Sequence, residues 1–399
     1  MCTDLLIVSE SADGRDLVVN ARSQEFATPL GYRLILRKKG VMVQVTHPTK
    51  GSRLTKPIPV DLCKSKYDYM GIIMTAPGDP STVVSTAVFD GMNSAGLSAG
   101  GLNFGGSVYQ LKSEAPGTTN VFVGFLVDWL LSNYATCKEV QRAFETNKLR
   151  AVAEAESFEG PEGIAFVERY VHIHFAVHDA SGNSLVIEFV DGEAKITENP
   201  VGVLTNLPIF SWHMTNLGQY GHLSKYSTHE PVKFGAVSYE PSGSVTPEPL
   251  SQPPAYRSTG IPGLGDGLMG IPGDYLPTSR FVRTAYLKRF AVPPATENEA
   301  VSQAFHLLNA VDIVKGASAE KSAKPGADDL YDTAQIIMVK DLVNKVFYLR
   351  MYESPMPYFI SFDDFDKFAP DGCANQKGVQ IAFPIETLAM PLPREAYKT

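Results

Sequence analysis

The chain has 399 residues, with 35 Lys and Arg against 43 Asp and Glu and a formal net charge of -8. That length holds one large domain or two modest ones, and a mild acidic excess without a polybasic stripe argues against a nucleic-acid binder or an anionic-membrane binder. Cys2, Cys63, Cys137 and Cys373 are scattered with no CxxC pair, so neither a disulfide scaffold nor a zinc site is expected and reduced thiols fit best.

The first segment, "MCTDLLIVSESADGRD", carries Asp4 early and only a short apolar run. A signal peptide needs a basic start and a longer apolar stretch, so a cytoplasmic protein is expected. "TDLLIVS" and "DLVVNAR" are β-type runs around a turn at Ala12, Asp13 and Gly14, which predicts a hairpin. "YRLILR", "VMVQVTH", "YMGIIMTA", "TAVF" and "GLSAGGLNF" also read as extended.

The period then changes. "VFVGFLVDWLLSNY" and "TCKEVQRAFETN" predict consecutive helices, the first interrupted by Asp128 and too short to span a bilayer. "VHIHFAVH" and "SLVIEFVD" predict a second hairpin, turning at Asp179 to Asn183. After a Pro-, Gly- and Ser-rich stretch come two helical segments, "SRFVRTAYLKRF" and "ENEAVSQAFHLLNAVDIV", and a last strand pair, "AQIIMVKD" and "KVFYLRMY". Strands, helix pair, strands, helix pair, strands is the order expected of an α+β fold with two stacked antiparallel sheets between helix layers, a four-layer αββα sandwich. The expected organisation is a single domain over 1–399 with an irregular insertion at about 224–275, which reads equally as a surface loop or as a border of the active site.

Several motifs offer chemistry. "GLSAG" at Gly96 to Gly100 matches the G-x-S-x-G elbow of serine hydrolases, but a Gly-rich extended run follows where a helix is required. Ser98 therefore reads as a strand residue. "GDGLMG" at Gly265 to Gly270 satisfies G-x-G-x-x-G without a preceding strand and reads as a loop. His172, His174 and His178 share a strand parity, yet no carboxylate cluster completes a metal site.

Cys2 is different. Removal of Met1, usual before a small second residue, would leave one residue carrying both a nucleophilic thiol and a basic α-amine. Antiparallel pairing about the predicted turn matches residues whose numbers sum to about 25, which sets Cys2 opposite Ser23 within one or two residues and makes Arg22 a neighbour. A guanidinium there favours a thiolate. On its own, Cys2 also reads as a small residue on a frayed terminus.

With "ARSQEF", "DGMNSAGLSAGGLNF", "VLTNLPIFSWH", "PTSRFVR" and the later "HLLNAVDIVKG" in this order, the chain resembles the choloylglycine hydrolase family. That family contains penicillin V acylases and conjugated bile salt hydrolases and has the N-terminal nucleophile fold of four αββα layers. The resemblance implies a nucleophile at Cys2 and further catalytic residues at Arg22, Glu25, Asn103, Asn206 and Arg280. Glu25 stands where many members have aspartate. Asn103, through its backbone N–H, and Asn206, through its side-chain amide, would hold the oxyanion.

The resemblance further implies hydrolysis of a small-molecule acyl amide without a metal or cofactor, and a homotetramer as in many members. Phe26 and Phe104, beside the matched residues, are expected to bind the acyl group, or else to belong to the core. "ARSQEF" resembles the acylase branch, which favours penicillin V acylase-like activity, with N-acyl homoserine lactones and bile salts as alternatives. A ligand-binding member of the fold without catalysis is the alternative of another class, and Glu25 is the feature that favours it.

Overall fold

In the first hairpin, nine residues of β1 (Cys2–Glu10) pair in register with β2 (Asp16–Phe26), and Cys2 lies opposite Gln24. The register is one residue further along than the predicted turn implies. The reason is a five-residue connection in which the Ser11 N–H donates to the Arg15 carbonyl at 2.8 Å, with Gly14 at φ +81°. In the computed structural model the described residues are 1–40, 64–76, 79–153, 172–226, 232–234, 237–239, 245–247, 267–321, 329–354, 356–364 and 379–382.

The chain continues through β3 (Gly31–Arg37), β4 (Tyr69–Ala76), β5 (Asp79–Asn93), β6 (Ser98–Asn103) and β7 (Thr119–Phe122). The expected "VMVQVTH" strand lies outside the described residues. The first predicted helix is shorter than its periodicity suggested. Thr119–Phe122 are strand, paired in parallel with β8 (Leu149–Val152), and a 3-10 turn over Val123–Phe125 leads into α1 (Leu126–Asn133). Asp128, which interrupts the apolar run, is buried and anchors α1 to the sheet: it accepts from Arg37 at 2.8 Å, Tyr69 at 2.9 Å and the Val88 N–H at 2.8 Å.

Next come α2 (Cys137–Glu145), β9 (Ile173–His178), β10 (Ser184–Val190), β11 (Glu193–Glu198), β12 (Val203–Leu204) and α3 (Phe210–Leu217). Thr136 and Glu139 close a reciprocal capping box at the start of α2. Within 224–275 three short strands, β13 (Val232–Phe234), β14 (Val237–Tyr239) and β15 (Val245–Pro247), form their own small sheet. Residues 267–270 make a turn, and the rest of the G-x-G-x-x-G stretch lies outside the described residues.

The last part holds α4 (Pro277–Phe290), α5 (Glu297–Asn309), a short pair β16 (Ala319–Glu320) and β17 (Leu330–Tyr331), then β18 (Thr333–Asp341), β19 (Val346–Met351), β20 (Tyr358–Ser361) and β21 (Val379–Ala382). Pro277 sits in the first turn of α4, where its missing N–H costs no helical bond. The "VDIV" tail predicted as helix is not helical; Val311 and Ile313 are nevertheless fully buried.

One sheet runs β12-β1-β2-β18-β19-β20 and the other β11-β10-β9-β6-β5-β4-β3-β21, with antiparallel pairing throughout both. Strand parity sorts side chains between the layers. On β1, Leu5 and Ile7 join Val19, Ala21, Ile337 and Val339 beneath Phe281 of α4 and Leu308 of α5. Leu6, with Val18 and Met338, instead meets Leu34, Met70 and Ile72 of the other sheet. Each such buried side chain contributes about 1.5–3 kcal/mol. On the far side, α1 and α2 cover the second sheet with Leu126, Leu130 and Val140 over Ala99, Phe175 and Val177. The expected four layers are all present.

Candidate active site

Cys2 begins β1 on the face turned toward the second sheet, the face it shares with Asp4 and Leu6. It is 5% exposed, and its Sγ lies 3.4 Å from Arg22 Nη2. Arg22 reaches it because Arg22 pairs with Asp4 on β2 and so projects from the same face. The guanidinium is held at several points. Nη1 donates to the Phe89 carbonyl at 3.0 Å and to Asp90 Oδ2 at 3.1 Å, and Nη2 also donates to the Gly101 carbonyl. Burial alone would weaken the Arg22 charge, but Cys2 and Asp90 outweigh it and raise its pKa, so Arg22 is a permanent cation.

The Cys2 backbone nitrogen donates to Asn206 Oδ1 at 2.9 Å. The same oxygen accepts from Arg280 Nη2 at 2.8 Å, and Asn206 Nδ2 donates to the Asn103 carbonyl at 2.8 Å. An amide nitrogen has two N–H groups, so the second remains to serve another acceptor. Arg280, buried in the first turns of α4, also donates from Nη1 to the Cys2 carbonyl at 2.6 Å and to Thr3 Oγ1 at 2.5 Å. Burial pulls its pKa down, while Glu25, Cys2 and Asp332 act the other way.

Glu25 lies on the opposite face of β2 from Arg22 and is fully buried. Both carboxylate oxygens lack a hydrogen-bond partner among the described residues. Its backbone pairs with Met1: the Met1 ammonium donates to the Glu25 carbonyl at 2.6 Å, and the Glu25 N–H to the Met1 carbonyl at 2.9 Å. Met1 therefore extends the hairpin by one residue, and the peptide nitrogen that its removal would free already faces Asn206.

Asn103 closes β6. The Phe104 N–H donates to the His172 carbonyl at 2.8 Å, so by antiparallel alternation Gly101 and Asn103 turn their own N–H and C=O groups away from β9. β5 covers that edge only as far as Gly100. Arg22 takes the carbonyl of Gly101 and Asn206 that of Asn103, which aims the Asn103 N–H along the same side.

Beyond Asn103 and Asn206, a cleft of about 520 Å³ is lined by Phe104, Val190, Leu207, Pro208, Ile209 and Trp212, among others. Phe104 forms its wall, buried and stacked on His174 at 4.7 Å. Phe26 does not line this cleft. It ends β2, half-buried, on the face that carries Cys2 and Arg22.

The rival readings find ordinary structural roles. Ser98 is buried within β6, its hydroxyl within hydrogen-bond reach of Asn20 Oδ1 at 2.9 Å and the Gly91 carbonyl at 3.2 Å, and His178, opposite it on β9, turns its Nε2 to Asp4. His174 faces the Thr205 carbonyl at 2.8 Å, whereas His178 faces Asp4 at 2.7 Å, so the histidines do not converge. No group of three or more potential metal ligands occurs among the described residues.

Three residues around the site carried no expectation. Asp90 lies in the "DGMN" motif and Lys340 in "AQIIMVKD", but nothing local shows that they meet between the sheets. His213, in "FSWH", holds the Asn206 carbonyl at 2.9 Å; burial pushes its pKa down and keeps it neutral, so Nε2 is the donor.

A family model described as linear amide C-N hydrolases, choloylglycine hydrolase family, matches residues 2–249 and 251–366. A bile salt hydrolase/transferase from Lactiplantibacillus plantarum is 32% identical over 270 residues, covering 67% of this chain and 70% of that protein. A mutant conjugated bile acid hydrolase from Clostridium perfringens superposes with a TM-score of 0.67 at 26% identity, over 91% of this chain and 93% of that one. Penicillin V acylase from Agrobacterium tumefaciens shares the fold, with a TM-score of 0.61 at 20% identity over 92% and 87% of the two chains. The chain belongs to the choloylglycine hydrolase family of linear amide C–N hydrolases.

Proposed function

We propose that Cys2, freed of Met1, is the nucleophile of this amide hydrolase. The observation that carries the reading is the pairing at one residue: Sγ 3.4 Å from Arg22 and the backbone nitrogen 2.9 Å from Asn206. The thiolate attacks the amide carbonyl carbon, and the resulting oxyanion accepts from the Asn103 N–H and the second N–H of Asn206 Nδ2. The C–N bond breaks as the Cys2 α-amine, which has taken up the proton of the thiol, passes it to the leaving amine. Water then cleaves the thioester, giving the carboxylic acid and the free thiol. Arg22 balances the thiolate. Arg280, on the Cys2 carbonyl, fixes the residue from the other face, with Glu25 as its opposing buried charge.

The substrate we propose has an apolar acyl half. Phe104, Leu207, Pro208, Ile209 and Trp212 offer aliphatic and aromatic surface that begins one residue beyond Asn103 and Asn206, and Phe26 lies on the nucleophile's side of β2. Phenoxyacetyl amides such as penicillin V are the first reading, on the acylase-like "ARSQEF". Conjugated bile salts are the second, favoured by relatives of that name matched over two thirds of the chain.

The test measures release of phenoxyacetate from penicillin V and of taurine from a taurine-conjugated bile salt, for the wild type and for folded Cys2→Ala. Turnover of one or both by the wild type and none by Cys2→Ala is expected. Undiminished turnover by Cys2→Ala contradicts the mechanism.

A further inference from the structure

Arg22 is the residue that meets Cys2 Sγ, and what aims it comes from elsewhere. Asp90, on β5 of the second sheet, is fully buried and accepts Arg22 Nη1 on Oδ2 at 3.1 Å. Its other oxygen, Oδ1, accepts Lys340 Nζ, also fully buried, from β18. Arg22 and Lys340 thus project from neighbouring strands of one sheet, and a single carboxylate from the other sheet clamps both. The Phe89 carbonyl takes a further bond from Nη1 at 3.0 Å, and the Phe89 ring packs 5.5 Å from the guanidinium carbon.

A guanidinium is a rigid planar fork, so fixing Nη1 on Asp90 and Phe89 fixes where Nη2 points. It points at the Gly101 carbonyl and Cys2 Sγ. The neighbouring backbone is matched to this clamp: a Cβ at Gly100 would overlap Asp90 Oδ2 and lie 3.0 Å from Arg22 Nη1. Only glycine at position 100 leaves the ion pair its space. Two buried cations sharing one carboxylate are an expensive arrangement to keep inside a core. Stability gives no reason for it, because an apolar pair of similar volume serves a core equally well.

We propose that Asp90 and Lys340 are positioning residues that aim Arg22 at the Cys2 sulfur. This rests on Cys2 as the nucleophile, and inactive Cys2→Ala is the control that separates the two ideas: turnover by that variant removes the nucleophile, not the clamp. Neither residue touches substrate. Their effect passes through Arg22 alone.

Two variants perturb the clamp without changing net charge. Asp90→Asn with Lys340→Met removes one charge of each sign, and Gly100→Ala forces the pair apart with both charges kept. Each is checked for folding by circular dichroism and for Met1 removal by intact mass. Kinetics are then measured on whichever substrate the wild type turns over. The pH dependence of Cys2 alkylation by iodoacetamide is followed by peptide mapping, which distinguishes Cys2 from the other cysteines.

Misaiming the guanidinium at constant net charge lowers kcat by about tenfold or more with KM within about twofold, and moves the Cys2 alkylation profile to higher pH. Loss of stability alone moves neither the profile nor kcat of the folded fraction. A folded variant of either kind that keeps the wild-type kcat and alkylation profile overturns the proposal. Should the double variant fail to fold, Gly100→Ala decides by the same readouts.

Discussion

Cys2, Asn206 and Lys288 show how single side chains set measurable behaviour. Asn206 has its Oδ1 committed to Cys2 and Arg280 and one Nδ2 proton to Asn103, leaving one N–H available for the oxyanion of the proposed mechanism. Asn206→Ala therefore lowers kcat by about 10²–10³, as loss of an oxyanion donor does, in steady-state assays against the wild type. Lys288 behaves differently, since its Nζ donates to the Val201 carbonyl at 2.6 Å in a half-buried setting. Burial pulls its pKa from 10.5 to about 8. With the folded value below the unfolded one, the unfolded chain binds more protons between those two pH values, so stability rises with pH across that window. Thermal melts of Lys288→Met across the same window are expected to lack this rise, and an equal rise in both proteins contradicts the assignment.

At the scale of elements, the first hairpin does most to build the site. Its alternation puts Cys2 and Arg22 on one face and Glu25 on the other. The nearness of Arg22 to Cys2 was legible in the sequence, because pairing about a turn is local; the faces were not, since the predicted register sets Cys2 with Ser23 and Glu25, and the one-residue difference brings Arg22 to the face of the sulfur. The strand over Thr119–Phe122, where a helix was predicted from Val121 onward, was not legible in the same way. Apolar periodicity does not separate a buried strand from a buried helix, and pairing with β8 decided in favour of strand. The helix in "TCKEVQRAFETN" was legible from its periodicity, and Thr136 and Glu139 form the capping box that starts it. Thr136→Ala removes the acceptor for the Glu139 N–H and is expected to cost about 1 kcal/mol, measured by denaturant unfolding.

Across the whole molecule, the four layers followed from the order of strand and helix groups, and the site residues Cys2, Arg22, Asn103, Asn206 and Arg280 are brought together in one network. Composition could not show the Asp90–Lys340 clamp, whose partners lie 250 residues apart and meet only when the two sheets stack. Nor could it show that Phe104 lines the cleft while Phe26 does not. Among the described residues no helix is long and apolar enough to cross a membrane.

The central claim is that Cys2 carries the acyl group in the reaction. Its most direct test is mass spectrometry of the enzyme quenched during turnover of its best acyl amide substrate, followed by peptide mapping of the adduct. The account predicts an acyl thioester on an N-terminal peptide that begins at Cys2 and lacks Met1. An acyl group on any other residue, or an active enzyme that retains Met1, contradicts it.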